Sequence, residues 1–505
     1  MTIDLRSGFI PLLVAAALAS APAAPARAAE EEPAMSPGVE RVPHDPGVFK
    51  PDPSYGTGAY DAERQVDIYG GKREVKTPRP LIEIGRPLYR EGPLPPSYHF
   101  LGAKNPARPS LVVYGDWRAA MAFNDTGSKE VGQVATRLNL EADLAITSTE
   151  RFHALFRPFD RNGKFTRYEF AGDDRRRGEA TLDGNVDAFF FEGDLGNIAS
   201  GAFGTYSTVD IPFAAGLMPL VFHNGVWMDD AITGVAFGQA GRNSRTLGIS
   251  NMDVSVFAGF NKVSSPALRN ALGDFADKDA RIMGAALFVD ANEGHWEFGI
   301  GRVDGRRELA EQGYDSAAIS FTRRYGGWLS NSVRVVGAFG QDRERNRQQS
   351  ADGFAVLLEN SLISHKPLTL VPYFNLFAGF DRPQSLARDP GAGGILKNTG
   401  ILFETDGLTN FPKLDDSAHN TYGGALGIQY LFELDQQIVV EIAGLDVREG
   451  AFEAGRAARG PQYGAGIRYQ LPLTNALIFR ADAIAARRDR DNDLLGIRSE
   501  LRIKF

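Results

Sequence analysis

The sequence predicts an all-β chain, a transmembrane antiparallel up-and-down β-barrel of about 16–18 strands behind an N-terminal Pro-rich extension. Three observations carry this reading. From Ser110 onward the chain falls into segments of about 9 to 12 residues in which apolar and polar side chains alternate, separated by Gly, Asn, Asp and Ser clusters. After the first 29 residues no run approaches the roughly 20 apolar residues that a spanning helix needs. The connections are tight at one end of the segments, as at Ala291-Asn292-Glu293-Gly294, Leu434-Asp435-Gln436-Gln437 and Pro472-Leu473-Thr474-Asn475. They are long and polar at the other, around 173–184, 341–352, 382–417 and 448–461.

Composition sets the outer limits. The 505 residues carry a formal net charge of −8, 56 glycines, 28 prolines and no cysteine. Disulfides, thiolate metal sites, CxxCH haem attachment, a Cys nucleophile and an acylated Cys are therefore excluded. The acidic balance argues against nucleic acid as a partner. The mean hydropathy of −0.23 looks low for a membrane protein, yet a spanning strand shows lipid only every second side chain, so a barrel averages like a soluble protein.

Residues 1–28 read as a cleaved secretory signal peptide, with Arg6 as n-region, Phe9 to Leu18 as a short apolar core and Ala26-Arg27-Ala28 as an A-x-A cleavage site. Pro22 and Pro25 interrupt the far side, against a transmembrane anchor. Residues 29–109 hold 14 of the 28 prolines. Pro removes a ladder donor and fixes φ, so this part is read as an extended periplasmic arm or lumenal plug.

Residues 110–505 are the barrel. Strands are expected near 110–124, 133–147, 151–158, 184–192, 209–217, 230–240, 246–260, 280–291, 295–304, 315–325, 329–341, 351–361, 369–381, 421–433, 437–447, 461–471, 476–487 and 492–505. The last is the clearest: Leu495, Ile497, Leu501, Ile503 and Phe505 share one face, while Arg498, Glu500, Arg502 and Lys504 share the other. Charges at every second position exclude a buried parallel strand, and the period excludes an amphipathic helix. The same parity puts Arg137, Asn139, Glu141 and Asp143 on one face of 133–147, with Leu138, Leu140 and Leu144 on the other. It also aligns Arg468, and Arg480 with Asp482, opposite apolar rows. A barrel of this size leaves an aqueous channel.

A signal peptide, amphipathic strands, no later hydrophobic helix and a terminal Phe505 resemble the Gram-negative outer-membrane β-barrels. The resemblance implies an outer-membrane location and makes Phe505 the signal read by the barrel-assembly machinery. Within that group the layout is loosely similar to porins of the alginate-export and phosphate-selective kinds. The stretch Ile211-Pro212-Phe213-Ala214-Ala215-Gly216-Leu217-Met218-Pro219-Leu220 with Val221-Phe222-His223-Asn224-Gly225 is similar to the place where such porins fold a loop inward. The resemblance implies passive diffusion of small hydrophilic solutes through a mixed-charge lumen narrowed by an inward loop near 217–230. Outer-membrane lipid and lipopolysaccharide are the expected surroundings, and homo-oligomers occur among such proteins.

Candidate constriction residues are Arg175, Arg176, Arg177, Asp229, Asp230, Arg137, Glu141, Arg480, Arg498 and Glu500. An Arg cluster facing acids would set up a transverse field that orients dipolar solutes while passing both ion signs; the plainer reading of Arg175-Arg176-Arg177 is a solvated loop. A metal reading rests on Asp160, Asn162 and Glu169, which take the third, fifth and twelfth positions of an EF-hand-like loop around Gly163. The first ligand position is Pro158, which has no side-chain oxygen, so a surface Asn-Gly turn is the simpler account and no metal or cofactor is expected. No enzyme is expected. The seven histidines have no ligand spacing and no G-x-S-x-G elbow occurs. Two alternatives stand beside the porin: a structural barrel or sheath docking a periplasmic partner, and an outer-membrane hydrolase in which His223 would be the first residue to test.

Overall fold

The computed structural model describes residues 78–85, 96–161, 163–173, 176–270, 280–341, 349–363, 369–404, 407–432, 436–448 and 456–505. The segment proposed as a signal peptide and most of the proposed arm lie outside them.

Strand β1 is Ile82–Ile84. The barrel begins with β2 (Ser110–Asp125), β3 (Glu130–Ala145), β4 (Arg151–Phe156), β5 (Asp160–Arg161), β6 (Lys164–Gly172), β7 (Arg177–Glu179) and β8 (Val186–Asp194). Helix α1 (Leu195–Phe203) follows. Next come β9 (Pro212–Phe222), β10 (Met228–Ser244), β11 (Ile249–Asn261), β12 (Ala280–Ala291), β13 (Gly294–Gly305), β14 (Tyr314–Tyr325) and β15 (Leu329–Phe339). The series ends with β16 (Asp352–Leu362), β17 (Leu370–Arg382), β18 (Ala387–Arg388), β19 (Thr421–Tyr430), β20 (Gln437–Val447), β21 (Gln462–Pro472), β22 (Leu477–Arg488) and β23 (Leu494–Lys504).

Each spanning strand pairs antiparallel with the next, and β2 closes on β23 from Asp116↔Lys504 to Asp125↔Leu495, giving a closed barrel of 18 strands. Closure leaves no sheet edge, which a lipid-exposed sheet cannot tolerate. Two of the 18 are built from pieces. Residues Leu140–Ala145 of β3 face β4, while its other half, Val131 to Thr136, faces β6, so β4 and β6 form one interrupted strand. Beside it, β7 pairs with β6 and β8 with β4.

All 18 expected strands are present. The short connections at 292–293, 326–328 and 473–476 share one end, the turn end; the long ones at 340–351, 383–420 and 448–461 share the other, the loop end. The in-out parity is also as expected. Leu495, Ile497 and Leu501 are 54%, 57% and 44% exposed, whereas Arg498 and Glu500 between them are 2% and 4% exposed. Burying charge and exposing apolar side chains is the reverse of a soluble protein and is what lipid outside and a polar lumen inside require. Exposed aromatics ring both ends, with Tyr325, Trp328, Tyr430 and Phe432 at the turn end and Phe260, Phe339, Phe354, Tyr422 and Tyr463 at the loop end.

Three features depart from the sequence reading. The stretch from Phe159 to Phe170, expected as a surface loop with an Asn-Gly turn, differs: 157–161 form an inward excursion in which the Asp160 carboxylate is buried between cations, and Lys164–Gly172 is strand β6. Helix α1 occupies a connection for which only loop was expected; Asp194 caps it by accepting from the Asn197 amide at 2.7 Å, and Gly204 ends it with φ 71°. Residues 383–420, expected as a long surface loop, fold into the barrel instead. Leu386, Leu396, Leu402, Phe403 and Leu414 are fully buried there with Trp227 and Tyr314 in one apolar cluster. The driving force is the apolar content of the loop, which a surface position would leave in water.

Candidate functional site

Two elements converge in the lumen. The first is the β9–β10 hairpin, whose tip turns through three left-handed residues, His223 (φ 53°), Asn224 (φ 54°) and Gly225 (φ 77°). Trp227 lies flat in the space left by Gly299 on β13; a Cβ on that glycine would sit 2.7 Å from the indole ring. Its Nε1 donates to Ser316 Oγ at 3.1 Å. The expectation of an inward segment at 217–230 thus matches the hairpin tip.

The second element, the 383–420 loop, is stitched to that tip. Residues Met228 and Asp229 pair in parallel with Ala387 and Arg388. Ser385 Oγ donates to the Val226 carbonyl at 2.6 Å, and Arg388 Nη2 to the Gly225 carbonyl at 2.6 Å. Tyr314, on β14, donates to the Ser385 carbonyl at 2.8 Å. On the far side, Glu441 of β20 accepts from the amides of Ile401 and Leu402, both at 2.9 Å, and from Tyr373. Gln133 Nε2 and Asn124 Nδ2 each donate to the Thr409 carbonyl at 2.6 Å. Wall side chains thus satisfy the backbone of the inserted loop, as buried peptide groups demand.

The wall that the inserted loop packs against carries paired charge. Asp482 accepts from Arg468 at 2.6 Å, from Arg480 at 2.9 Å and from Arg498 at 2.6 Å. Arg468 also pairs with Glu404 of the inserted loop, and Arg498 lies 5.1 Å from the Phe411 ring centroid. Next along the wall, Arg118 forks onto Glu500 at 2.7 and 3.1 Å, and Arg502 reaches Asp116 at 3.1 Å. In the 157–161 excursion, Asp160 lies 3.2 Å from Arg137, and Arg157 bonds Asp187 at 2.9 Å. Asp389, on the inserted loop, acts electrostatically on both Arg157 and Asp160. Excursion and loop therefore face each other with charges of both signs.

Among the residues singled out from the sequence, Arg137, Arg480, Arg498 and Glu500 belong to this wall. Glu141 lies opposite Tyr114 and is hydrogen-bonded to it. Asp229 stands 3.9 Å from Arg388. Asp230 is buried and accepts from the amides of Ser264 and Ala231, at 2.7 and 2.9 Å, so it holds a loop in place. Arg176 and Arg177 are exposed on the β6–β7 turn; Arg175 and Asn162 lie outside the described residues. Glu169 pairs with Lys129 at 3.2 Å, apart from the Asp160 cluster with Arg137 and Arg157. These carboxylates are occupied by cations, and the described residues hold no cluster of three or more metal-binding side chains. His223 is buried edge-on to Trp227, with its Nδ1 3.5 Å from a Glu297 carboxylate oxygen.

Sequence reading missed Glu404, Asp389, Arg157, Glu441 and Trp227. Strand parity was available for Glu441 alone. Nothing local marks which loop carboxylates meet a wall hundreds of residues away.

Fold and lumen together define a porin-like transmembrane β-barrel. No family model and no curated protein matches the chain. Among solved structures, Pseudomonas aeruginosa OccK2 (OpdF) aligns with a TM-score of 0.51 at 13% identity, covering 78% of this chain and 97% of that one. Pseudomonas aeruginosa OccK11 (OpdR) aligns with a TM-score of 0.50 at 11% identity, covering 78% and 96%. At these identities what the chain shares with them is the fold.

Proposed function

We propose that the protein is a porin of the Gram-negative outer membrane, through which small hydrophilic solutes diffuse passively. The observation that carries this reading is the inverted burial of a closed barrel whose lumen is lined by paired charges and narrowed by two inward elements. Such a lining keeps water in the channel, while paired charges of both signs favour dipolar or weakly charged solutes over strong ion selectivity. In this reading Arg137, Glu141, Asp229, Arg480, Arg498 and Glu500 set the charge of the lumenal wall, and the Arg175-Arg176-Arg177 run is a solvated loop. Phe505 serves as the assembly signal, residues 1–28 are removed on export, and lipopolysaccharide surrounds the loop-end girdle.

Purified, heat-modifiable protein in a planar bilayer should give discrete ohmic current steps. Silent bilayers from correctly folded protein would sink the porin reading and leave the sheath. Candidate solutes that block the current would then identify what passes.

A further inference from the structure

Helix α1 hangs from the barrel at the turn end, between β8 and β9, and its two faces differ in kind. Gly196, Ser200 and Gly201 are buried. The close side is tight: a Cβ on Gly201 would sit 2.2 Å from the Leu101 carbonyl, and Ser200 Oγ donates to the Gly196 carbonyl and accepts from the Ser207 amide. The other face carries Leu195, Ile198 and Phe203, exposed by 40%, 38% and 80%. That is the i, i+3, i+8 stripe of an amphipathic helix, pointed away from protein. Phe100, Tyr206 and Val209 extend the exposed apolar surface beside it.

This surface continues the lipid-facing side of the barrel. Phe152, Phe191, Phe213 and Phe237 form an aromatic row across β4, β8, β9 and β10, with successive ring centroids 5.0, 5.8 and 6.2 Å apart. Along the chain, Leu195 follows Phe191 by four residues and Val209 precedes Phe213 by four, so the row lies beside both ends of the helical connection. Lys104 Nζ lies 4.3 Å from the Tyr206 ring centroid. A Tyr beside a Lys is the chemistry of a headgroup layer.

We propose that α1 and its flanking aromatics lie in the headgroup region of the inner leaflet and bind phospholipid there, as an interfacial anchor that fixes the depth of the turn end. The inference rests on the membrane-barrel reading and adds a lipid-binding element that channel function does not require.

Because the chain has no cysteine, single-site labelling of the full-length protein tests this directly. Ile198→Cys, Phe203→Cys, Thr208→Cys and, as a lipid-facing control, Ile442→Cys are each labelled with a polarity-sensitive fluorophore. They are refolded into phosphatidylethanolamine–phosphatidylglycerol vesicles with or without a lipid-borne nitroxide quencher, and heat-modifiability confirms folding. Labels at 198 and 203 should be quenched by the lipid nitroxide and be at least about twofold less accessible to iodide than the label at 208. Iodide access equal to that at 208 would overturn the inference, as would protection from both quenchers, which would mean that protein covers the face. Iodide access at 442 as well would bring down the barrel reading with it.

Discussion

Asp482 is the carboxylate on which the charge balance of the wall turns, since three guanidiniums share it within 2.9 Å. Asp482→Asn should raise the net positive charge of that cluster by one. The cation-to-anion permeability ratio should fall by about twofold or more, read as a shift in reversal potential under a salt gradient. Because a buried partner is lost, stability should fall by about 3–5 kcal/mol. Glu150 plays a different part. Burial acts to raise its pKa, but hydrogen bonds from Thr147, Asn105 and Thr149 and from the Asp194 amide outweigh it and hold the carboxyl below the usual range. With the folded pKa depressed, its stabilising contribution is present above the unfolded pKa of about 4.3 and lost as pH falls through the lower folded value. Glu150→Ala should cost about 1–3 kcal/mol at neutral pH and speed amide exchange in residues 96–109, which Glu150 ties to the barrel through Asn105 at 2.7 Å. At pH 3 the difference from the parent protein should shrink. Of these residues, Asp482 was legible from strand parity. Glu150 was not, because a turn has no period to read.

Strands were the most legible elements because a spanning strand writes its environment at every second position. Ile442, at the middle of β20 and 58% exposed, illustrates what that outer row is for. Ile442→Arg should destabilise the barrel in lipid by about 2–4 kcal/mol, measured by urea titration of heat-modifiability in vesicles, whereas Ile442→Leu should be close to neutral. The interrupted strand of β4 and β6 was harder to see. Its inward excursion interrupts the alternation at Pro158, and the Asp-Arg-Asn-Gly stretch looks like an ordinary turn until Arg137 is brought to 3.2 Å from Asp160. Helix α1 was missed for a related reason: its Gly- and Ser-rich run, LGNIASGAF, scores poorly as helix and is helical because Asp194 caps one end and close backbone packing needs the small residues.

For the whole molecule, closure and narrowing are separate properties. Strands β17 and β19 pair directly, from Leu370↔Tyr430 to Ala378↔Tyr422, so the barrel closes without the 383–420 loop between them. Replacing residues 386–418 with a short Gly-Ser linker should therefore leave a heat-modifiable barrel whose single-channel conductance rises about severalfold, as the lumen reverts to the open bore expected at this strand number. Unchanged conductance would show that the β9–β10 hairpin and the 157–161 excursion set the bore alone. The seam shows the same economy. Phe505 exchanges backbone hydrogen bonds with Gly115 at 2.8 and 3.1 Å, and β1 pairs with Leu111 to Val113 just beyond it, so the part of β2 that outruns β23 is covered by the chain's own arm.

By itself the sequence determined the strand segments, their number to within about two, the in-out parity and the two ends, because lipid and water select residues locally, position by position. Only the tertiary structure decided what stands in the lumen. Whether residues 383–420 lie on the surface or inside depends on Glu441, Gln133, Trp227 and Tyr314, partners drawn from all around the barrel. A cluster assembled from such distant residues leaves no period, spacing or motif in the chain.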